Sequence, residues 1–165
     1  MIINNLMRTF IQALLFICWL NLSLQCWPAE TPTHKAPPSV IGTWKGESLC
    51  VGDRPACKNE VVVYRLETVP GKAGVVLLLA DKIIEGQRVP MGKLEFIYDE
   101  VKRELSCEFT ARQTHGLWQF KVTGEAMEGT LILLPGREVV RRVKMKRVAE
   151  GEVPAAPAKE AYEGT

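Results

Sequence analysis

Ile41-Gly42-Thr43-Trp44-Lys45-Gly46-Glu47-Ser48-Leu49-Cys50 is the stretch around which this 165-residue chain is arranged. It reads as an opening strand, and the segments that follow read as strands laid beside it. Residues 60–67 are rich in β-branched side chains, which fit a pleated surface. Pro70-Gly71 suits a type II turn, with proline fixing the first central residue and glycine accepting positive φ at the second. Val75-Val76-Leu77-Leu78-Leu79 is apolar on both faces, continues towards Lys82-Ile83-Ile84 and stops near Gly86. Residues 94–99 alternate, turn through 100–102 and return as 105–109, the period-two spacing of half-buried strands. Gln113-Thr114-His115-Gly116 reads as the next turn, residues 118–122 alternate again, and Gly124-Glu125 leads into residues 129–133. Pro135-Gly136 closes the last hairpin before residues 139–148.

That makes eight candidate strands in residues 40–149, with no amphipathic helix and no repeat. Short links make sequential strands antiparallel neighbours. Eight strands can close on themselves, which removes exposed edges and leaves an interior that is packed or holds one small ligand. The expected fold is therefore all-β, an eight-stranded antiparallel up-and-down barrel. A sandwich of two four-stranded sheets is the alternative.

The flanks differ in character. Residues 1–26 carry Arg8 and then a mostly apolar run, the pattern of a secretory signal peptide. Gln12 and Asn21 interrupt the run, which favours a cleaved leader over a membrane anchor. Cleavage would fall after Cys26 or Ala29. Cys26 has a second reading as the lipid acceptor of a bacterial lipoprotein, but Leu24 and Gln25 stand where that motif has small residues. Residues 27–39, with Pro28, Pro32, Pro37 and Pro38, read as an extended linker, and residues 150–165 as a disordered tail. The formal charge of +2 falls to +1 once Arg8 is removed, so no electrostatic argument for a nucleic-acid partner follows.

Gly42-Thr43-Trp44 resembles the Gly-x-Trp signature of the calycin barrels, lipocalins and avidins among them. The resemblance implies that Trp44 plugs one end of the barrel and, as in lipocalins, that a late arginine lies across it. In a closed meander the last strand runs antiparallel beside the first, so its end meets the first strand's beginning. Val139, Arg141, Val143, Met145 and Arg147 share one parity, and Val143 and Met145 make that parity the inward one. Arg147 then points inward near Trp44, for a cation–π contact of about 1–2 kcal/mol if desolvated. The domain is shorter than a typical lipocalin, lacks that family's helix after the barrel and shows no set of avidin biotin ligands. What carries over is the fold and the habit of binding something small.

Cys50 and Cys57 bracket a loop containing Gly52, Asp53 and Pro55, and in an oxidising compartment they read as a disulfide that stiffens one rim. Neither Cys-x-x-Cys spacing nor nearby histidine supports a redox or metal pair. Cys107 shares parity with Leu105 and Phe109 and reads as a buried free thiol.

Catalytic signals are lacking. His34 falls in the linker and His115 in a polar turn, which makes no zinc site. Ser48 and Ser106 have no base partner, and Asp81, Glu95 and Glu108 are spread over strand surfaces where charges normally face water. No enzymatic activity, cofactor or metal is expected. The basic side chains Arg137, Arg141, Arg142, Lys144, Lys146 and Arg147 read as a solvated face rather than a site for an anionic surface.

Two functional readings follow. Tyr64, Phe96, Tyr98, Phe109, Trp118 and Phe120 are the inward aromatic candidates, able either to line a cavity for a small apolar or amphipathic ligand or to pack the interior solid. The alternative is a protein-binding module such as an envelope-associated hydrolase inhibitor, by fold-level analogy. The expected location is secreted or periplasmic, with membrane attachment only through a lipid on Cys26. The apolar outer face of residues 75–79 is expected to be covered by another subunit or by the tail.

Overall fold

The computed structural model describes residues 40–111 and 113–163. The expected signal peptide, the Pro-rich linker, Cys26 and His34 lie outside the described residues. Among the described residues the chain forms β1 (Gly42–Cys50), β2 (Glu60–Thr68), β3 (Val75–Ile84), β4 (Gln87–Asp99), β5 (Glu104–Ala111), β6 (Thr114–Thr123), β7 (Ala126–Leu133) and β8 (Glu138–Val148). Each strand pairs antiparallel with the next, and β8 returns to β1 to close an eight-stranded barrel. Full closure is incompatible with the sandwich.

Two strand boundaries differ from expectation. β4 begins at Gln87, although the alternating pattern starts only at Leu94. Glu85 and Gly86 both take positive φ (50° and 77°) and link Ile84 to Gln87 in a two-residue hairpin. The early half of β4 contains Pro90 and Gly92, which argue against a regular strand; the register shifts there, as at a β-bulge. Thr114, His115 and Gly116, expected in a turn, already belong to β6.

One end of the barrel is solid. Trp44 is fully buried, and its indole N–H donates to the Val40 carbonyl at 3.0 Å. The Arg147 guanidinium lies 4.4 Å from the Trp44 ring centroid. It also donates from Nη1 to the Ile41 carbonyl at 2.7 Å and pairs through Nε with Glu125 at 2.9 Å. The expected juxtaposition of tryptophan and arginine is thus present. Below it pack Val62, Leu66, Val76, Leu105, Val122, Met127 and Met145.

The segment expected to be a disordered tail is instead folded on the outer wall through residue 163. It makes short 3-10 turns at Glu150–Glu152 and Lys159–Tyr162. Val62, Tyr64, Leu78 and Ala80 belong to the interior, so by alternation Val63, Leu79 and Asp81 face outward. Yet these three are 0%, 2% and 0% exposed. The tail explains this: Val153 and Tyr162 are buried, and the Tyr162 hydroxyl donates to Asp81 Oδ1 at 2.5 Å. Arg88, its side chain wholly buried, donates to Asp81 Oδ2 at 2.8 Å and to Glu150 at 3.0 Å. Glu150 also accepts from the Thr43 hydroxyl. Lys159 with Glu67 (2.7 Å) and Lys93 with Glu163 (2.5 Å) tie down the rest. Composition alone missed this because two apolar residues, Val153 and Tyr162, dock the segment. Asp81 is accordingly not the surface carboxylate expected of it.

Candidate functional site

The end opposite Trp44 carries the β1–β2, β3–β4, β5–β6 and β7–β8 links. There the interior opens into a cavity of about 460 Å³. Its floor and walls are Tyr64, Leu78, Phe96, Phe109, Trp118 and Phe120. The rings hold one another: Trp118 stacks on Phe120 with centroids 5.5 Å apart, Tyr64 meets Phe120 edge-on at 6.1 Å, and Phe96 tilts against it at 5.7 Å. Phe120 can lie this way because its cross-strand neighbour is Gly129, where a Cβ would stand 2.2 Å from Phe120 Cδ1.

Of the six aromatic residues expected to line a cavity, five do. Tyr98 does not. It pairs with Leu105 near the β4–β5 hairpin, at the sealed end, and packs against the interior cluster from below. Parity placed it inside but could not say at which height.

The mouth has a polar side that sequence reasoning did not assemble. Arg141 donates from Nη1 to Ser48 Oγ at 2.8 Å and from Nη2 to the Lys58 carbonyl at 3.1 Å. It also pairs with Glu60 at 3.2 Å, and Lys82 lies 3.6 Å from the second Glu60 oxygen. Ser48, Glu60 and Arg141 all line the cavity. The signal was available, since Arg141 shares the inward parity of Arg147 and the closed register sets it opposite Cys50. Tyr64 is 4% exposed, and burial pushes its phenol well above the usual range, with Arg141 opposing and Glu60 reinforcing the shift. It stays protonated under all ordinary conditions.

Cys50 and Cys57 form a disulfide, Cα atoms 6.0 Å apart, at this same rim. Cys107 is a buried free thiol whose pKa burial raises, which suppresses thiolate chemistry. His115 pairs with Glu108 at 2.7 Å on the outer surface, and Glu95 with Lys72 at 2.7 Å. Among the described residues no group of three or more His, Cys, Asp or Glu is placed to hold a metal ion. Nor is any helix among them long and apolar enough to cross a membrane.

β4 and β5 meet through only three residue pairs, Ile97–Ser106, Tyr98–Leu105 and Asp99–Glu104, all towards the sealed end. Nearer the mouth the cavity is bordered by Met91 to Leu94 on one strand and by Phe109 and Ala111 on the other.

No protein-family model matches the chain, and no curated protein sequence does. The closed eight-stranded antiparallel barrel is compatible with the calycin plan.

Proposed function

We propose that this protein is a secreted, non-catalytic barrel that binds one small apolar or amphipathic ligand. The observation that carries this reading is the aromatic cavity of about 460 Å³ at one end of a barrel whose other end is solid. Its size falls within the range of ligand pockets, and its walls are mainly hydrophobic with a few convergent polar groups. Secretion is supported by the Cys50–Cys57 disulfide, a bond that persists in oxidising compartments. The test is native mass spectrometry of the gently purified protein, alongside titration with the apolar fluorophore N-phenyl-1-naphthylamine. A co-purifying small-molecule mass or saturable probe binding, lost in Trp118→Ala, is the expected result. An apo mass together with no probe uptake would remove the reading.

A further inference from the structure

A strand inside a sheet is held by hydrogen bonds along both of its edges, and a stretch that lacks them is among the first to open. Residues 87–96 of β4 are short of them on both sides. Towards β5 they have no partner among the described residues, because that pairing is confined to Ile97, Tyr98 and Asp99. Towards β3 the register shifts, so that Gly92 and Pro90 face the consecutive residues Ala80 and Asp81 and Met91 is left over. Pro90 has no N–H to give the ladder. Yet Met91, Gly92, Lys93 and Leu94 form one side of the cavity. The β1–β2–β8 side of the mouth is fixed by contrast. There Arg141 reaches Ser48, Glu60 and the Lys58 carbonyl, and the Cys50–Cys57 disulfide staples the rim.

The C-terminal tail supports the weak segment from outside. Its side chains converge there: Glu150 on Arg88, Glu163 on Lys93, and Tyr162 on Asp81, the residue at the register shift. Arg88 and Asp81 also tie β4 to β3 at 2.8 Å, and both side chains are wholly enclosed. On a bare outer wall this pair would meet water; the tail is what encloses it. We infer that the tail is a latch on the cavity. Docked, it holds residues 87–96 against β3; undocked, it lets that segment swing away from β5, and the cavity opens sideways. This rests on the binding-barrel reading and names how its site is regulated. The closed wall dominates, and a probe enters and leaves through the open minority. A weaker latch therefore speeds entry and exit together and leaves the affinity where it was, as long as the closed state still dominates.

The experiment has two arms, both on the intact, oxidised protein. The first is native-state hydrogen exchange in dilute urea. The β3-bonded amides of residues 87–96 should open in one step with residues 150–163, well before those of β1, β2 and β6–β8. If residues 87–96 open only with the whole barrel, the latch is overturned. The second arm is stopped-flow binding of N-phenyl-1-naphthylamine to the wild type, Glu150→Gln and Tyr162→Phe. Neither residue lines the cavity. Association and dissociation rates should both rise about tenfold, in keeping with one lost hydrogen bond to a charged group, at unchanged equilibrium affinity. Unchanged rates in variants whose tail has lost protection would overturn the inference. So would weaker affinity without faster entry, the mark of a tail that merely stabilises the fold. Should a variant fail to fold, the wild-type exchange decides. A fluorophore that never binds removes the binding reading, and the exchange then decides on its own whether tail and wall open as one.

Discussion

Gly46 lies where β1 crosses close to β8, and a Cβ built there would stand 1.9 Å from the Lys144 carbonyl oxygen and 2.7 Å from Met145 Cα. Both are backbone atoms, so neither can swing away. Gly46→Ala is expected to cost about 1–3 kcal/mol, read as a lower urea midpoint at unchanged slope. At Gly129 a Cβ would meet the Phe120 ring at 2.2 Å and the backbone carbonyl oxygen of Gln119 at 2.7 Å, so a side chain there presses on both the cavity floor and the neighbouring strand. Asp81 presents a different risk. Its carboxylate accepts from both Arg88 and Tyr162 with no exposure to water. Asp81→Asn leaves a buried guanidinium short of its counter-charge, and a loss of about 3–5 kcal/mol is expected. Replacing the pair together, Asp81→Leu with Arg88→Met, should recover much of that loss in the same urea titration, because an uncompensated charge, not a missing contact, sets the penalty.

At the scale of elements, the tail from Glu150 to Glu163 is a strap whose first fastening is electrostatic. The Thr43 hydroxyl foremost, then Arg88, holds the Glu150 carboxyl below its usual range, with burial opposing. A carboxyl shifted down contributes stability above its unfolded pKa and loses it as pH falls. Acidification through about pH 4 and below should therefore loosen residues 150–163 before the barrel melts. Amide hydrogen exchange would show this as protection lost early in the strap, and Glu150→Gln should produce the same pattern at neutral pH. Uniform loss across strap and strands would contradict it. How much of this was legible follows from the physics. Strands announced themselves where one face is wet and the other dry, as in residues 94–99 and 105–109, since alternation is the imprint of that boundary. The early half of β4 was silent because a bulge with Pro90 and Gly92 obeys no alternation. The strap was silent because only Val153 and Tyr162 are buried in it, too few to leave a period. Trp44 and Arg147 were readable as a pair because closure fixes β8 against β1. Ser48, Glu60 and Arg141 were not read as a cluster, because their meeting depends on barrel height as well as on parity.

For the molecule as a whole, interior and strap share one vulnerability to base. The phenols of Tyr64 and Tyr162 are both raised chiefly by burial, and Tyr162 also by its bond to Asp81. An acid whose pKa rises on folding contributes stability below its unfolded value and withdraws it as pH climbs past that value. For tyrosine the withdrawal begins near pH 10. Ultraviolet titration is therefore expected to show these two phenolates emerging only with loss of the folded far-ultraviolet dichroism, and with hysteresis absent if unfolding is two-state. Phenolate absorbance from both groups while the fold persists would be the contrary result.

The seam between β1 and β8 joins Thr43 to Val148, and so sets an order of events at the ribosome. A nascent chain has no neighbour for the free edge of its first strand until β8 emerges, from Arg141 to Val148, and Asp81 lacks its phenol until Tyr162 follows. No early fragment can commit to the final architecture. Emergence of β8 and then of the strap is the cue, and until then the polypeptide stays threadable for any machinery that must handle it unfolded.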